Sequence, residues 1–329
     1  MWSRKIGIDI GSRTVRMWVK GHGVTLREPS VVLRTGVQQR VVALGHEALR
    51  GSTADGRQRA RPVTDGGELD VNVMAAMLPV LIGRVPGVLR PFRPEVMMAL
   101  PSTAPGAIRR RLTQAAIGAG AGQAWLIDLP LAAAIGAGLK IGEPYSGCVV
   151  EIGAARTEMA VIAGSGIMTS RTLDAGGAAF DAALEAMLEE RHGLRLEGSV
   201  IHELKRVIGV LPETGRRVLT GTDAEGSPLR VEVDGDEVRE ALERPLGTIA
   251  QALAGLVGDG GQEVAGMVQR GGVMLTGGGA LMPGMVRGLA LRTGLRLRRA
   301  DEPADAVVRG AGLALDRFEV VRRGQLYLR

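Results

Sequence analysis

The sequence predicts an α/β protein built from two copies of one unit, with a ligand cleft between them. Three observations carry this. The stretch Ile6-Gly7-Ile8-Asp9-Ile10-Gly11-Ser12-Arg13-Thr14 passes from a β-type apolar run through an acid to a glycine turn, and a second β-type run, Val15 to Val19, follows. The same order returns roughly 140 residues later as Val149-Val150-Glu151-Ile152-Gly153-Ala154-Ala155-Arg156-Thr157, with Met159 to Ile162 after it. A third glycine turn, Gly277-Gly278-Gly279, closes the apolar run Val273-Met274-Leu275-Thr276. Each acid-Ile-Gly segment reads as a hairpin whose tip carries one carboxylate and exposed backbone N–H groups. Such a tip offers donors to an anion, and its acid can hold the water shell of a divalent metal. Two facing tips would clamp a metal-bound polyphosphate. The triple glycine lets a planar or phosphorylated ligand approach the backbone, and the helix expected after it favours an anion at its N-terminus.

Length and composition fit this reading. A chain of 329 residues predicts about two domains. Hydrophobic residues make up 45% but aromatics only 2%, so the core is expected from Val, Leu, Ile, Ala and Met. The single cysteine, Cys148, excludes a disulfide framework and a cysteine zinc site. It lies in the apolar run before Glu151, where a buried core role is expected. No apolar stretch is long enough to cross a membrane, and Met1-Trp2-Ser3-Arg4-Lys5 leads straight into a strand without the apolar segment of a signal peptide. A reducing cytoplasmic setting is therefore expected. The net charge of +6 points to an acidic partner such as anionic lipid or nucleotide. So few aromatics give little base stacking, and no nucleic-acid partner is expected. The clusters Arg57-Arg59-Arg61, Arg109-Arg110-Arg111 and Arg296-Arg298-Arg299 read as solvated faces.

Taken in order, residues 5 to 33 read as three strands: Ile6 to Ile10, Val15 to Lys20, and Val24 through Leu33, with Gly21-His22-Gly23 turning between the last two. Gly45 to Gly67 is polar and poor in large apolar residues, and Ser52-Thr53-Ala54-Asp55-Gly56 within it reads as a mobile loop. Asp70 to Ile82 has helical spacing in Val73, Met77 and Leu81. Arg84 to Pro94 sets Val88, Leu89 and Phe92 among prolines and arginines. Those side chains either fold back into the core or form an apolar tip with cationic flanks, suited to shallow membrane insertion. Glu95 to Leu100 is a strand; Ser102 or Thr103 can cap a helix that has Pro105 in its first turn and runs to about Ala119. Trp125 to Asp128 is a short strand, and Pro130 starts a helix of small residues.

After the second acid-Ile-Gly turn, Phe180 to Arg191 reads as a helix stopped by Gly193. Val200 to Ile208 is a second helix, carrying Glu203 and Lys205. Val218 to Val233 reads as strands, and Asp236 begins a helix that Pro245 interrupts or restarts before about Val257. The helix after the triple glycine is broken by Pro283.

These signatures, in this order, resemble the actin-like ATPase superfamily, and within it the bacterial actin MreB family. Gly7-Ile8-Asp9-Ile10-Gly11 looks like the first phosphate loop, Val150 to Val161 like the second, and Leu275 to Leu281 like the adenosine-binding turn. Closer matches are Val19-Lys20-Gly21-His22-Gly23-Val24, Glu28-Pro29-Ser30-Val31-Val32, Pro130 to Leu139, Thr169-Ser170-Arg171 with Gly176-Gly177, Phe180-Asp181 and Pro245-Leu246. The resemblance spans nearly the whole chain. It implies an actin-like ATPase fold: two duplicated lobes with ribonuclease-H-like α/β cores around a nucleotide cleft, each with a smaller outer subdomain. The implied division is 1–33, 66–143 and 313–329 for the first inner subdomain, and 34–65 for the first outer one. Residues 144–181 and 246–312 would form the second inner subdomain, and 182–245 the second outer one.

The resemblance further implies ATP or another purine nucleotide with Mg2+. Asp9, Gly11, Ser12, Arg13, Glu151, Gly153 and Arg156 would meet the phosphates or metal, with Asp9 and Glu151 holding the ion through water. Glu203, Lys205, Gly277, Gly278 and Gly279 would meet the adenosine. Val88, Leu89 and Phe92 fall where the family has a membrane-inserting loop. Self-association into filaments at the inner face of the cytoplasmic membrane is implied, with anionic lipids and cell-wall synthesis or morphogenesis proteins as partners.

Departures from the family pattern concern chemistry. Leu129 stands where the family has the acid that positions the attacking water, and Asp128, one residue earlier, should face the other way. Glu151 replaces an aspartate. Ala154, Ala155 and Arg156 replace glycines and a threonine, and an alanine forced to positive φ would cost about 1–2 kcal/mol. Arg13 is added to the first loop. Arg13 and Arg156 either pair with neighbouring acids or neutralise phosphate charge in place of metal. Hydrolysis needs a positioned water, so nucleotide binding with slow or absent turnover is expected. Other readings are a non-polymerising pseudo-ATPase that binds membrane or division partners, and an ATP-dependent enzyme of the same fold. A sugar kinase would need a substrate-facing acid and a chaperone an added domain; neither is evident.

Overall fold

The computed structural model describes residues 4–36, 40–54, 56–85, 93–210 and 215–316. The first half contains β1 (Lys5–Ile10), β2 (Thr14–Val19), β3 (Gly23–Pro29), β4 (Val32–Thr35), β5 (Arg40–Leu44), α1 (His46–Arg50), β6 (Arg57–Ala60), α2 (Val71–Gly83), β7 (Glu95–Leu100), α3 (Gly106–Gly118), β8 (Gln123–Asp128) and α4 (Leu129–Gly136). The second contains β9 (Gly147–Ile152), β10 (Thr157–Ala163), β11 (Gly166–Leu173), α5 (Gly177–His192), α6 (Gly198–Ile208), β12 (Arg216–Thr222), β13 (Pro228–Asp234), α7 (Gly235–Asp259), α8 (Gly261–Gly271), β14 (Val273–Thr276), α9 (Met285–Thr293), β15 (Leu297–Arg299) and α10 (Ala306–Ala314).

The duplication is visible in the sheets. One has the order β3-β2-β1-β7-β8 and the other β11-β10-β9-β14-β15. In each, a three-stranded antiparallel meander is extended by two parallel strands. Each sheet has its own apolar core. Ile6, Ile8, Val15, Met17 and Val96 pack with α2 and α3, while Val150, Ile152, Met159, Val161 and Leu275 pack with α5, α7 and α9. A third core joins the two sheets through Met97, Ile127, Leu131, Val149, Ala160 and Val307. Small residues make this junction close. A Cβ at Gly136 would collide with the Ala306 carbonyl oxygen, and one at Gly310 with that of Ala132, so α4 and α10 touch backbone to backbone.

Several elements differ from the sequence reading. The strand expected from Val24 to Leu33 breaks at Ser30. Pro29 has no N–H to continue a ladder, and the Ser30 N–H donates to the Arg13 carbonyl (2.9 Å). The chain then enters a separate sheet of order β5-β4-β6. The polar stretch from Gly45 to Gly67 holds α1 and β6, tied together by Arg59, which donates to the carbonyls of Ala48, Leu49 and Gly51. In α2, Asp70 caps the N–H groups of Asn72 and Val73. Neither Ser102 nor Thr103 caps α3, which starts after Pro105. Instead of breaking, α7 runs unbroken through Pro245. Burial of Val238, Leu242, Leu246, Ile249, Leu253 and Leu256 along one face, about 1.5–3 kcal/mol each, outweighs the roughly 3 kcal/mol a helical proline costs. Among the described residues no helix is long and apolar enough to cross a membrane.

Candidate functional site: a cleft between two matched hairpin tips

The two hairpin turns are built alike. The Gly11 N–H donates to the Thr14 carbonyl (3.1 Å), and the Gly153 N–H to the Arg156 carbonyl (2.8 Å). Gly153 and Gly11 both sit close to the carbonyl they bond, where a side chain would crowd the turn. Antiparallel register then fixes what faces each acid. Asp9 lies opposite Arg16, and Glu151 opposite Glu158. The duplication thus places an arginine and a glutamate at matching positions of the two lobes.

Both tips open on one cavity of about 320 Å³. Asp9, Gly11, Ser12, Arg13, Glu151, Gly153, Arg156, Lys205, Gly278 and Gly279 line it, together with Arg16, Leu129, Glu158, His202 and Arg206. The triple-glycine turn closes it from the second lobe. Gly277 has φ +83, and a Cβ there would run into the Ile152 carbonyl and the Glu151 carboxylate. Its N–H donates to the Pro303 carbonyl (2.8 Å), which ties the turn to the 3-10 segment Pro303–Asp305 before α10. Gly278, by contrast, faces open space. A short 3-10 turn, Gly278–Leu281, follows, and α9 begins beyond Pro283.

The acids of the cleft are buried. Burial, then the facing Asp9 and Glu158 carboxylates, push Glu151 up to about 8, with Arg16 opposing. Burial pushes Glu158 up to about 7, against hydrogen bonds from Ser102 that favour the anion. Burial also raises Asp9, opposed by Arg16. Ser102, expected as a helix cap, does different work: its N–H and hydroxyl donate to Glu158 Oε2 at 3.1 and 3.2 Å, joining the end of β7 to β10 of the other lobe.

Arg13 and Arg156 both have acidic partners. Arg13 reaches from the first tip to Asp181 on α5 (2.8 Å), and Arg156 bonds Asp174 (2.9 Å) while lying against Gly67. Lys205 does not point freely into the cavity; its amine is buried, 2.6 Å from Asp181 and 2.7 Å from the Gly177 carbonyl. Burial lowers its pKa, and Asp181 opposes that. Glu203 is exposed and paired with Arg206 (2.9 Å), a residue of the cavity wall. The alanines of the second loop carry no positive φ; among described residues Glu302 alone of the non-glycines does. The α5 N-terminus is filled by that loop, since the N–H groups of Gly177 and Ala178 donate to the carbonyls of Gly153 and Ala154, both 2.8 Å.

Leu129 sits at the start of α4 and lines the cavity. Asp128, next to it, pairs with Arg109 (2.5 Å). Val88, Leu89 and Phe92 lie outside the described residues. Among the described residues no group of three or more His, Cys, Asp or Glu side chains could hold a metal ion. Of the pair expected to do so through water, Asp9 already has a cation beside it, since the Arg16 guanidinium stands 3.7 Å from its Oδ2. Reasoning from motifs missed Arg16, Glu158, Asp181 and His202. Counting outward from each glycine turn would have found the first two.

Comparison with known proteins agrees with this architecture. The MreB/Mbl protein family model matches residues 3–323. The chain is 35% identical to the cell shape-determining protein MreB of Escherichia coli K12, covering 97% of this chain and 95% of that one. It is 32% identical to the cell shape-determining protein Mbl of Bacillus subtilis 168, covering 99% and 100%. Among solved structures, MreB5 of Spiroplasma citri bound to ADP superposes with a TM-score of 0.85 at 24% identity, over 96% of this chain and 97% of that one. A MamK double helical filament gives 0.78 at 20% identity, over 94% and 98%. The fold is therefore actin-like, two matched α/β lobes around a cleft, and the chain belongs to the MreB/Mbl family.

Proposed function

We propose that this chain is a cytoskeletal subunit that binds ATP or a related purine nucleotide in the cleft, assembles into filaments and helps determine cell shape. One observation carries the reading: two hairpin tips and a glycine turn, far apart in sequence, line a single cavity in a chain of this family. Solved relatives in the same fold hold ADP and AMPPNP, and another is a double helical filament. The phosphates would lie between Gly11-Ser12-Arg13 and Gly153 to Arg156, and the purine against Gly278 and Gly279. Lys205 supports this wall through Asp181 and Gly177 rather than by touching the base. Hydrolysis is slow or absent, because Leu129 can neither orient a water nor accept its proton.

The filament works at the inner face of the cytoplasmic membrane, through anionic lipids, and with cell-wall synthesis or morphogenesis proteins. The apolar trio Val88, Leu89 and Phe92, flanked by arginines, is the proposed lipid contact. Co-sedimentation with ATP and anionic vesicles tests both parts. Wild type should pellet with vesicles, and changing Leu89 and Phe92 to Ser should abolish that while filament pelleting persists. Unchanged vesicle pelleting rejects the loop as anchor. Protein that stays in the supernatant under every condition rejects the filament and favours a non-polymerising adaptor.

A further inference from the structure

We propose that Arg16 takes the place of a divalent cation in this cleft, so that the polyphosphate of the nucleotide is held without metal. This rests on the nucleotide reading of the cavity. In one lobe the residue opposite the acid is Glu158, and in the other it is Arg16. The guanidinium stands between two carboxylates. Its Nη1 is 3.7 Å from Asp9 Oδ2, and its Nε is 3.2 Å from Asp305 Oδ1. Asp305 is itself buried and held by Arg27 at 2.5 Å. Moving Arg16 out of the cleft would leave the buried Asp9 carboxylate without a cation, while Asp305 would keep Arg27.

The other cations of the wall each have an acidic partner: Asp181 for Arg13 and Lys205, Asp174 for Arg156, and Glu203 for Arg206. Arg13, Arg16, Arg156, Lys205 and Arg206 line the cavity against three carboxylates, Asp9, Glu151 and Glu158. Arg13 and Arg156 stand one in each phosphate-facing turn, where planar guanidinium groups can bond phosphate oxygens in pairs. A divalent ion bridging Asp9 and Glu151 would have to sit beside the Arg16 guanidinium, in a site whose desolvation strengthens that repulsion. The same desolvation strengthens the attraction of Arg16 for a phosphate oxygen.

The test is equilibrium titration of the full-length protein with a fluorescent ATP analogue, in excess magnesium and in excess EDTA. The expected result is an affinity that differs less than about fivefold between the two. Arg16→Gln should weaken binding in EDTA by about tenfold or more and regain part of it with magnesium, whereas Arg16→Lys should keep most metal-free binding. Thermal melts of both variants show whether they fold. If they do not, the wild-type comparison still decides. A wild-type affinity that falls more than about fivefold in EDTA overturns the proposal but leaves the nucleotide cleft standing. No binding in either condition overturns both.

Discussion

Glu151 is a strained choice of residue for its position. In the folded protein it holds its proton to about pH 8, whereas the unfolded chain releases it near 4.5. Above the lower value the unfolded state therefore binds fewer protons, and stability falls as pH rises from about 5 to about 8. Glu158, held at about 7, adds to the same slope. Glu151→Gln removes one contribution. Thermal melts from pH 5 to 9 should show the variant gaining several degrees on the wild type at the alkaline end and little at the acid end; a gain equal at all pH values would contradict this origin. Leu129 makes a second case. Replacing it by Glu returns an acid to the cavity wall, and phosphate release should rise by about a hundredfold, at the low end of what positioned acids and bases supply. An unchanged rate would mean that more than this residue is missing. At this scale the sequence was only partly legible. Asp9 and Glu151 were visible because each precedes a glycine turn. The turns Arg13 and Lys205 take toward Asp181 were not, because one contact crosses between the lobes and the other joins two separate helices, α5 and α6.

Among the elements, α4 and α10 decide how the lobes meet. Their contact is backbone to backbone at Gly136 and Gly310. Gly310→Ala inserts a methyl group against the Ala132 carbonyl, and overpacking of this kind costs about 1–3 kcal/mol. A fall of roughly 5 °C in Tm is expected in differential scanning calorimetry; no change would show that the helices separate freely. The small-residue composition of α4 was legible, as were β7, α2 and the Gly193 stop of α5. Short elements were not. In α1 there are five residues and no full apolar period, and α8 buries only Val264 and Val268 between glycines. Pro245 misled for the opposite reason: local chemistry argued for a break, and tertiary burial along α7 overrode it.

Across the whole molecule, the duplication is what the sequence showed best, because the same acid-Ile-Gly order survives in both halves. The strand orders of the two sheets repeat it. Electrostatics broke the symmetry where the lobes face one another, with Arg16 on one side and Glu158 on the other. The cleft is accordingly read as a nucleotide clamp that favours holding over turnover, and assembly is read as its consequence. Gly278 offers the cleanest access to that claim. It lines the cavity and meets no protein atom within 4 Å of an added Cβ, so a large side chain there fills the cavity without disturbing the fold. The decisive measurement is a parallel titration and sedimentation of wild type and Gly278→Trp with an ATP analogue. The account predicts that the variant melts like the wild type, binds nucleotide at least about tenfold more weakly, and no longer pellets. A folded variant that binds and pellets as the wild type does would contradict it.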